Sequence, residues 1–190
     1  MSAGLPVIDC RAEHLGSLRG ILNDVIVNTT ALWDYEPRSE EMIAEWFAAK
    51  AAAGLPVLGI EVEPGVLAGF ATWGPFRPFA AYRYSVEHSV YVTAAHRRRG
   101  IGRTLLEELI AAAVRCDLHA LVGGIDASNA ASIALHQQLG FTRCGIIREA
   151  GHKFGRWLDL EFHQLLLPTS ARPLGEAAAE SPAVDGLRAG

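Results

Sequence analysis

The feature that most constrains the fold is a junction of three segments between residues 86 and 114. Residues 86–93 are valine-rich and alternate in polarity, which is typical of a β-strand. The stretch R-R-R-G-I-G follows, and leucines then recur at helical spacing through residue 114. A strand, a glycine turn and a helix in this order predict a mixed α/β fold with a functional loop at the helix start.

This loop is predicted to bind phosphate groups. Gly100 and Gly102 lack a Cβ, so a ligand can approach their peptide planes. The unpaired amides that open the helix, with the positive end of its dipole, favour an anion such as a pyrophosphate. The candidate binding residues are Arg97, Arg98, Arg99, Gly100, Ile101, Gly102 and Arg103.

Other phosphate loops fit this segment less well. A Walker loop requires Gly-Lys-Ser/Thr, whereas Arg103 and Thr104 follow Gly102. A dinucleotide fingerprint requires a third glycine where Leu105 stands. A plain strand-to-helix turn with a solvated basic run stays open as the alternative.

The rest of the chain predicts one mixed sheet with helices on its faces. Apolar spacing indicates helices near residues 15–26, 39–47, 105–114 and 129–139. Strands are indicated at 56–74 (a hairpin turning at 63–65), 86–93, 120–126, 144–148 and 157–166. We expect a domain over residues 1–167. The remaining residues, 168–190, are rich in Pro, Ala, Gly and Ser and predict a flexible tail.

Composition narrows the function classes. Half of the residues are hydrophobic, and the net charge of −4 argues against general nucleic-acid binding. The three cysteines, Cys10, Cys116 and Cys144, have neither disulfide-framework nor metal-site spacing, so no metal is expected. No leader or membrane-spanning run is evident, and we expect a cytoplasmic protein that binds no membrane.

Four motifs in order carry a resemblance to a known family. The pattern Arg97-x-x-Gly100-x-Gly102 resembles the Q/R-x-x-G-x-G/A motif of the GNAT superfamily of acyl-coenzyme A N-acyltransferases. The stretches EHSVYV, GIDASNAASIALHQQLGF and HKFGRWLDL further resemble phosphinothricin and methionine sulfone/sulfoximine N-acetyltransferases. The resemblance spans roughly residues 6–166.

The resemblance implies a GNAT-like mixed, splayed central sheet flanked by about four helices, with acetyl-CoA as co-substrate. Its pyrophosphate would lie on residues 98–103. The backbone at Val90, Tyr91 and Val92 would pair with the pantetheine arm like an added strand. The family also implies a homodimer.

A general base is useful because the acceptor amine arrives protonated. Glu87 matches the family's glutamate base, acting directly or through water, and strand alternation turns its neighbour His88 to the opposite face. A surface carboxylate at a strand end is the alternative for Glu87. A backbone amide near Tyr91 or Val92 would stabilise the oxyanion.

The fourth predicted helix carries a polar stripe. Asn129, Ser132 and His136 are spaced by three and then four residues, which places them on one face. By resemblance, Asn129 and Ser132 contact the coenzyme, and His136 lies near the reacting centre as an acid or proton relay. A purely structural histidine is the alternative.

Two irregular segments before the central strand supply the candidate acceptor residues. Aromatic walls with arginines suit a small zwitterion with a polar side group, and the candidates are Trp33, Arg77, Tyr82 and Arg83. Phe79 stands where phosphinothricin acetyltransferases carry a basic residue, which favours a related amino acid. Lys153, Phe154 and Trp157 are expected to contribute from a partner subunit.

We therefore predict an acetyl-CoA-dependent N-acetyltransferase that acts on a small amino-acid-like amine in a ternary complex. A non-catalytic acyl-CoA sensor and a peptide or protein N-acetyltransferase are the alternatives.

Overall fold

The structure is a computed structural model that describes residues 6–169. Most of the predicted tail, from residue 170 to residue 190, lies outside the described residues. Within the described part, no helix is long and apolar enough to cross a membrane.

A seven-stranded sheet and four α-helices form the described fold, with the strand order β1-β2-β3-β4-β5-β7-β6. Only β4 and β5 pair in parallel. The elements are β1 (Val7–Asp9), α1 (Leu15–Asn28), α2 (Glu40–Ala52), β2 (Val57–Glu63), β3 (Val66–Pro75), β4 (Ser85–Val92), α3 (Ile101–Arg115), β5 (Ala120–Asp126), α4 (Ala130–Gln138), β6 (Thr142–Lys153) and β7 (Arg156–Leu166).

Helices cover both faces of the sheet, as expected for strands buried on two sides. On one face, buried residues of α1 and α2 such as Leu18 and Ile43 pack with Phe70 and Tyr91. On the other face, leucines of α3 pack with Leu121 and Phe141. Successive residues of β4 therefore point into two different layers.

The two central strands diverge. Strand β4 pairs with β3 over seven residues, but with β5 over only three, ending at Glu87 opposite Val122. Beyond Glu87 and Val122, β4 and β5 no longer pair with each other, and a gap opens between their facing edges. The expected splayed mixed sheet is confirmed.

Three elements differ from the sequence prediction. Strand β1 has three residues, too few to show alternation. Helix α3 begins at Ile101 rather than near 105, because Gly100 in a left-handed conformation serves as its N-cap. Strand β6 runs to Lys153 rather than 148, and the irregular register between Ile147 and Gly151 hides its alternation.

Candidate active site

The gap between β4 and β5 exposes backbone groups of alternate residues. The amide of Thr93 donates to the carbonyl of Ala68 on β3. Because antiparallel pairing alternates along a strand, Tyr91 also turns its backbone groups toward β3. The N–H and C=O groups of Val90 and Val92 therefore face the gap.

This geometry corrects one prediction. Of the three residues expected to pair with a pantetheine arm, Tyr91 directs its backbone away from the gap and its side chain into the layer under α1. Val90 and Val92 keep the predicted orientation. The carbonyl of Val92 accepts a bond from Nε of Arg97 at 3.2 Å, so Val92 has its amide left for a ligand.

The candidate phosphate loop, residues 97–103, occupies the turn into α3. Arg98 and Gly100 both have positive φ, 62° and 83°, which folds the loop tightly before the helix. The first amide bonded within the helix is that of Thr104, to the carbonyl of Gly100. The earlier amides, of Ile101, Gly102 and Arg103, are those that a helix leaves without an intrahelical partner.

The four arginines of the loop differ in their surroundings. Arg103 bridges two helices, since its guanidinium donates to Glu107 at 3.0 Å and to Gln138 of α4 at 2.8 Å. Arg98 and Arg99 are exposed and have no ion-pair partner among residues 6–169. These two side chains are the cations best placed to meet phosphates.

Glu87 lies at the point where the sheet opens. It is the last residue of β4 that pairs with β5, and its side chain points toward α1 and α2. Burial raises the pKa of its carboxyl above the usual range, and the positive charge of Arg77 partly opposes that rise. A carboxylate with a raised pKa is a stronger base.

Two glycines of β5 make room at this point. A Cβ on Gly124 would lie 2.9 Å from Oε1 of Glu87, and one on Gly123 would lie 3.1 Å from the rings of His88 and His136. Larger side chains at either position would displace these groups. The glycine pair was not singled out from the sequence, although G-G inside a strand is a signal of close approach.

On the opposite face of β4, two buried histidines contact each other. Nε2 of His88 lies 2.9 Å from Nε2 of His136, and the rings stack. Nδ1 of His136 lies 2.7 Å from the carbonyl of Ser132, which can only accept, so Nδ1 carries a proton. In the neutral pair Nε2 of His136 therefore accepts from His88.

Burial lowers the pKa of both imidazoles, that of His88 to about 3. Both rings are therefore neutral at physiological pH. His136 reaches other groups only through its neighbours, because both of its nitrogens have partners.

The predicted stripe on α4 is present. Asn129 is the N-cap of the helix, and its Oδ1 accepts from the amide of Ser132 at 3.1 Å. Oγ of Ser132 lies 3.5 Å from Nδ1 of His136. The three residues form one connected row, with the side-chain oxygen of Asn129 engaged in capping and its NH₂ group left for other partners.

Two cavities that share lining residues lie on the Glu87 face of the sheet. An outer groove of about 800 Å³ is lined by residues of the loop 29–38 and of α2, among them Trp33. An inner cavity of about 150 Å³ is lined by Glu87 and Lys50, among others. Arg38 and Trp46 line both, so the groove leads toward the carboxylate of Glu87.

The loop 29–38 is held by residues of β6, at the edge of the sheet. Nζ of Lys153 is buried and donates to the carbonyls of Ile26, Thr29 and Leu32 at 2.6, 2.9 and 2.6 Å. Lys153 thus acts within its own chain, which replaces the expectation that it serves a partner's site.

Three further contacts hold this loop. The hydroxyl of Thr30 donates to Asp126, at the end of β5, and the ring of Trp33 packs against Gly151, where a Cβ would come within 2.5 Å. The hydroxyl of Tyr35 donates to the carbonyl of His152. The sequence gives no local sign of these contacts, because the partners are about 100 residues apart.

The other predicted acceptor residues lie around a short 3₁₀ turn, Ala80–Tyr82. The guanidinium of Arg77 stacks on the ring of Phe76, 4.1 Å from its centroid, and Tyr82 packs against the same ring. Arg77 is thus brought within electrostatic reach of Glu87, whereas Tyr82 and Arg83 line neither cavity in the described part of the chain. Phe79 is exposed.

The homodimer stays a prediction. Phe154 and Trp157, which the family's late motif places near a partner, are 57% and 62% exposed at the tip of the β6–β7 hairpin.

A splayed mixed sheet, with a glycine turn into α3 and Glu87 where β4 and β5 part, is the arrangement that the resemblance to acyl-coenzyme A N-acyltransferases implies. The model of the acetyltransferase (GNAT) family matches residues 21–141, and the chain belongs to this family. The expectation of an acetyl-CoA-dependent N-acetyltransferase is thereby confirmed as the enzyme class.

Relatives with assigned activities cover most of the chain. This chain is 44% identical over 165 residues to an L-methionine sulfoximine/L-methionine sulfone acetyltransferase of Salmonella typhimurium. The matched residues make up 87% of this chain and 93% of that protein. This chain is also 35% identical over 167 residues to a phosphinothricin N-acetyltransferase of Streptomyces viridochromogenes, and the match covers 86% of this chain and 89% of that protein.

The fold is matched by solved structures. An acetyltransferase from Salmonella typhimurium, solved with its cofactor acetyl-CoA, superposes with a TM-score of 0.85 at 42% identity, covering 90% of this chain and 98% of that one. The resemblance inferred from the four motifs is confirmed.

Proposed function

We propose that this enzyme transfers the acetyl group of acetyl-CoA directly to the amine of a small amino acid of the methionine sulfone, methionine sulfoximine or phosphinothricin type. The observation that carries the proposal is the position of Glu87. Its carboxylate lies where β4 and β5 part and also lines the inner cavity. One group is therefore next to both the gap that would hold the coenzyme and the cavity that would hold the acceptor.

The residues that would hold acetyl-CoA fit its chemistry. The amides of Ile101, Gly102 and Arg103, with the free guanidinium groups of Arg98 and Arg99, suit its phosphates. The gap-facing backbone of Val90 and Val92 suits the amides of the pantetheine arm. The coenzyme supplies an acetyl thioester, whose carbonyl carbon accepts an amine.

The chain supplies the proton transfers and the charge stabilisation. Glu87 takes a proton from the acceptor ammonium, so that the neutral amine can attack. The amide of Val90 faces the gap and lies nearer to Glu87 along β4 than that of Val92, so it suits the oxyanion. Asn129 and Ser132 would contact the coenzyme, and His136, whose Nε2 contacts His88, would act as the proton relay.

The class of acceptor follows from the size and the lining of the inner cavity. The inner cavity of about 150 Å³ accommodates a small molecule rather than a peptide chain. Trp46 and Arg38 at its entrance suit a compact polar side group. Named relatives of this chain act on amino acids of that kind.

The test is a thiol-release assay with acetyl-CoA and four acceptors: methionine sulfone, methionine sulfoximine, phosphinothricin and a basic peptide. We expect turnover with the amino acids and none with the peptide. Glu87→Gln should lower kcat by about a hundredfold or more while the KM for acetyl-CoA stays within about twofold. Glu45→Gln, which removes a carboxylate from the outer groove, serves as the control. Unchanged kcat in Glu87→Gln, or turnover of the peptide alone, would contradict the proposal.

A further inference from the structure

The inner cavity has two cations on its wall, and their surroundings differ. Nε and Nη2 of Arg38 donate to Oδ2 of Asp34 at 3.3 and 2.8 Å, so a carboxylate already balances this guanidinium. Lys50 has no carboxylate within ion-pairing distance among residues 6–169. Of the two cations on the cavity wall, Lys50 is therefore the one that no carboxylate pairs with in the described part of the chain.

The position of Lys50 relative to Glu87 is fixed by the strand register. Lys50 lies in the last turn of α2, and its Nζ donates one hydrogen bond, to the carbonyl of Trp73. A Cβ on Gly74 would lie 3.6 Å from Nζ, and Gly74 is the residue of β3 directly opposite Glu87. Opposite residues of an antiparallel pair share a face, so the missing side chain of Gly74 leaves open space between the ammonium and the carboxylate.

Burial in the cavity disfavours the charged forms of both Lys50 and Glu87. Desolvation lowers the pKa of Lys50 to about 8 and raises the pKa of Glu87. Lys50 is still charged at neutral pH, and an ammonium has three N–H donors, of which one is used by Trp73. Two donors are left for a ligand that carries negative charge.

We propose that Lys50 binds the carboxylate of the acceptor, so that the inner cavity recognises an α-amino acid as a zwitterion. The acceptor's ammonium lies at Glu87 and its carboxylate at Lys50, on either side of the space over Gly74. This inference rests on the proposed function, which places the acceptor amine at Glu87. It adds that a free carboxylate next to the amine is required for tight binding.

Two acceptors that differ only in this group test the proposal. Methionine sulfone carries the carboxylate, and 3-(methylsulfonyl)propan-1-amine is the same molecule without it. Initial rates of thiol release are measured at saturating acetyl-CoA for the wild type, Lys50→Met and Lys50→Arg. Arg19→Met removes a surface cation that pairs with Glu40 at the start of α2 and serves as the control.

We expect Lys50→Met to raise the KM for methionine sulfone about tenfold or more, as for loss of a hydrogen-bonded charge pair. The KM for the decarboxylated amine should stay within about twofold, Lys50→Arg should retain most of the affinity, and Arg19→Met should change neither acceptor. If Lys50→Met does not fold, Lys50→Gln carries the same prediction, because it keeps a donor for the carbonyl of Trp73 without the charge.

An equal rise in KM for both acceptors would overturn the proposal and leave Lys50 as a structural link between α2 and β3. An unchanged KM for methionine sulfone would also overturn it, while turnover of methionine sulfone by the wild type would keep the proposed function intact. A wild-type enzyme that acetylates neither of these acceptors, nor methionine sulfoximine or phosphinothricin, would overturn the proposed function and this inference together.

Discussion

The two parts of the candidate site, the loop before α3 and the acceptor side, are built in different ways. The proposed phosphate loop is made of consecutive residues, and its proposed binding groups are backbone amides set by the positive φ of Arg98 and Gly100. The acceptor side is made of side chains that α1, α2, β3, β4 and the loop 29–38 bring together. The first depends on local conformation and the second on tertiary packing, so mutations should separate coenzyme binding from acceptor chemistry.

Among variants that keep Glu87 itself, the largest effect is expected for Gly124→Ala, on the acceptor side. The added methyl group would lie 2.9 Å from Oε1 of Glu87 and 3.3 Å from Leu160, so the carboxylate must move. We expect kcat to fall by about 10- to 100-fold with the KM for acetyl-CoA unchanged, because small misplacements of a reacting group are costly.

Steady-state kinetics by thiol release measure this effect. Gly145→Ala is the control, since a Cβ on Gly145 meets nothing within 4 Å. Unchanged kcat in Gly124→Ala would show that turnover does not depend on the position of the Glu87 carboxylate.

The second prediction concerns the phosphate loop. Gly100→Val places a β-branched residue at φ 83°, which costs about 1–3 kcal/mol in a strained backbone. The loop should rearrange, raising the KM for acetyl-CoA about tenfold while the KM for the acceptor stays the same.

Gly102→Ala is the matched variant. Its methyl group would make ordinary contacts, 3.6 Å from Leu135 and Val92, so the fold should be unaffected. A raised coenzyme KM in Gly102→Ala would show that a ligand passes close to this peptide. Wild-type coenzyme kinetics in Gly100→Val would contradict a role for the loop in binding.

The same difference explains what the sequence could predict. The glycine turn into α3, the polar row of α4 and the strand that carries Glu87 are encoded by neighbouring residues, and the structure contains all three of these elements. The contact of His88 with His136 joins residues 48 positions apart, and periodicity in either segment cannot reveal it. Periodicity indicated only that His88 faces away from Glu87.

Lysine usage was a missed signal. Lys50 and Lys153 are the two lysines of the sequence, against 15 arginines among its 17 basic residues. Both donate to backbone carbonyls inside the fold, and neither is an exposed surface charge. Where arginine supplies nearly all of the positive charge, an isolated lysine is a candidate for an internal role.

The third prediction tests the anchoring of the acceptor loop. Lys153→Met leaves three carbonyls without their donor, and the unfolding free energy should fall by about 1–3 kcal/mol. The KM for the acceptor should rise several-fold, because Trp33 and Arg38 lie on this loop, while the KM for acetyl-CoA should not change.

Urea unfolding and steady-state kinetics provide both values. Arg148→Met, on the same strand with an exposed side chain, is the control. Equal rises in the KM for the acceptor and for acetyl-CoA would show that Lys153 stabilises the whole sheet rather than the acceptor loop.

The smallest effect on turnover, and one seen mainly in stability, is expected from the histidine layer behind β4. Burial lowers the pKa of His88 to about 3 in the folded protein, against about 6.5 in the unfolded chain. Between these values the unfolded chain binds a proton that the folded protein excludes. Stability is therefore fully present above about pH 6.5 and is lost as the pH falls toward 3.

His88→Gln removes this titration while its amide can still donate to Nε2 of His136. Between pH 7 and pH 5 the unfolding free energy of the wild type should fall by about 2 kcal/mol more than that of the variant. Urea unfolding at the two pH values measures the difference, and His119→Gln, at an exposed site, should behave as the wild type. Identical pH dependence in His88→Gln and the wild type would mean that His88 binds its proton over the same pH range in the folded and the unfolded chain, and that burial does not keep the histidine pair neutral at pH 5.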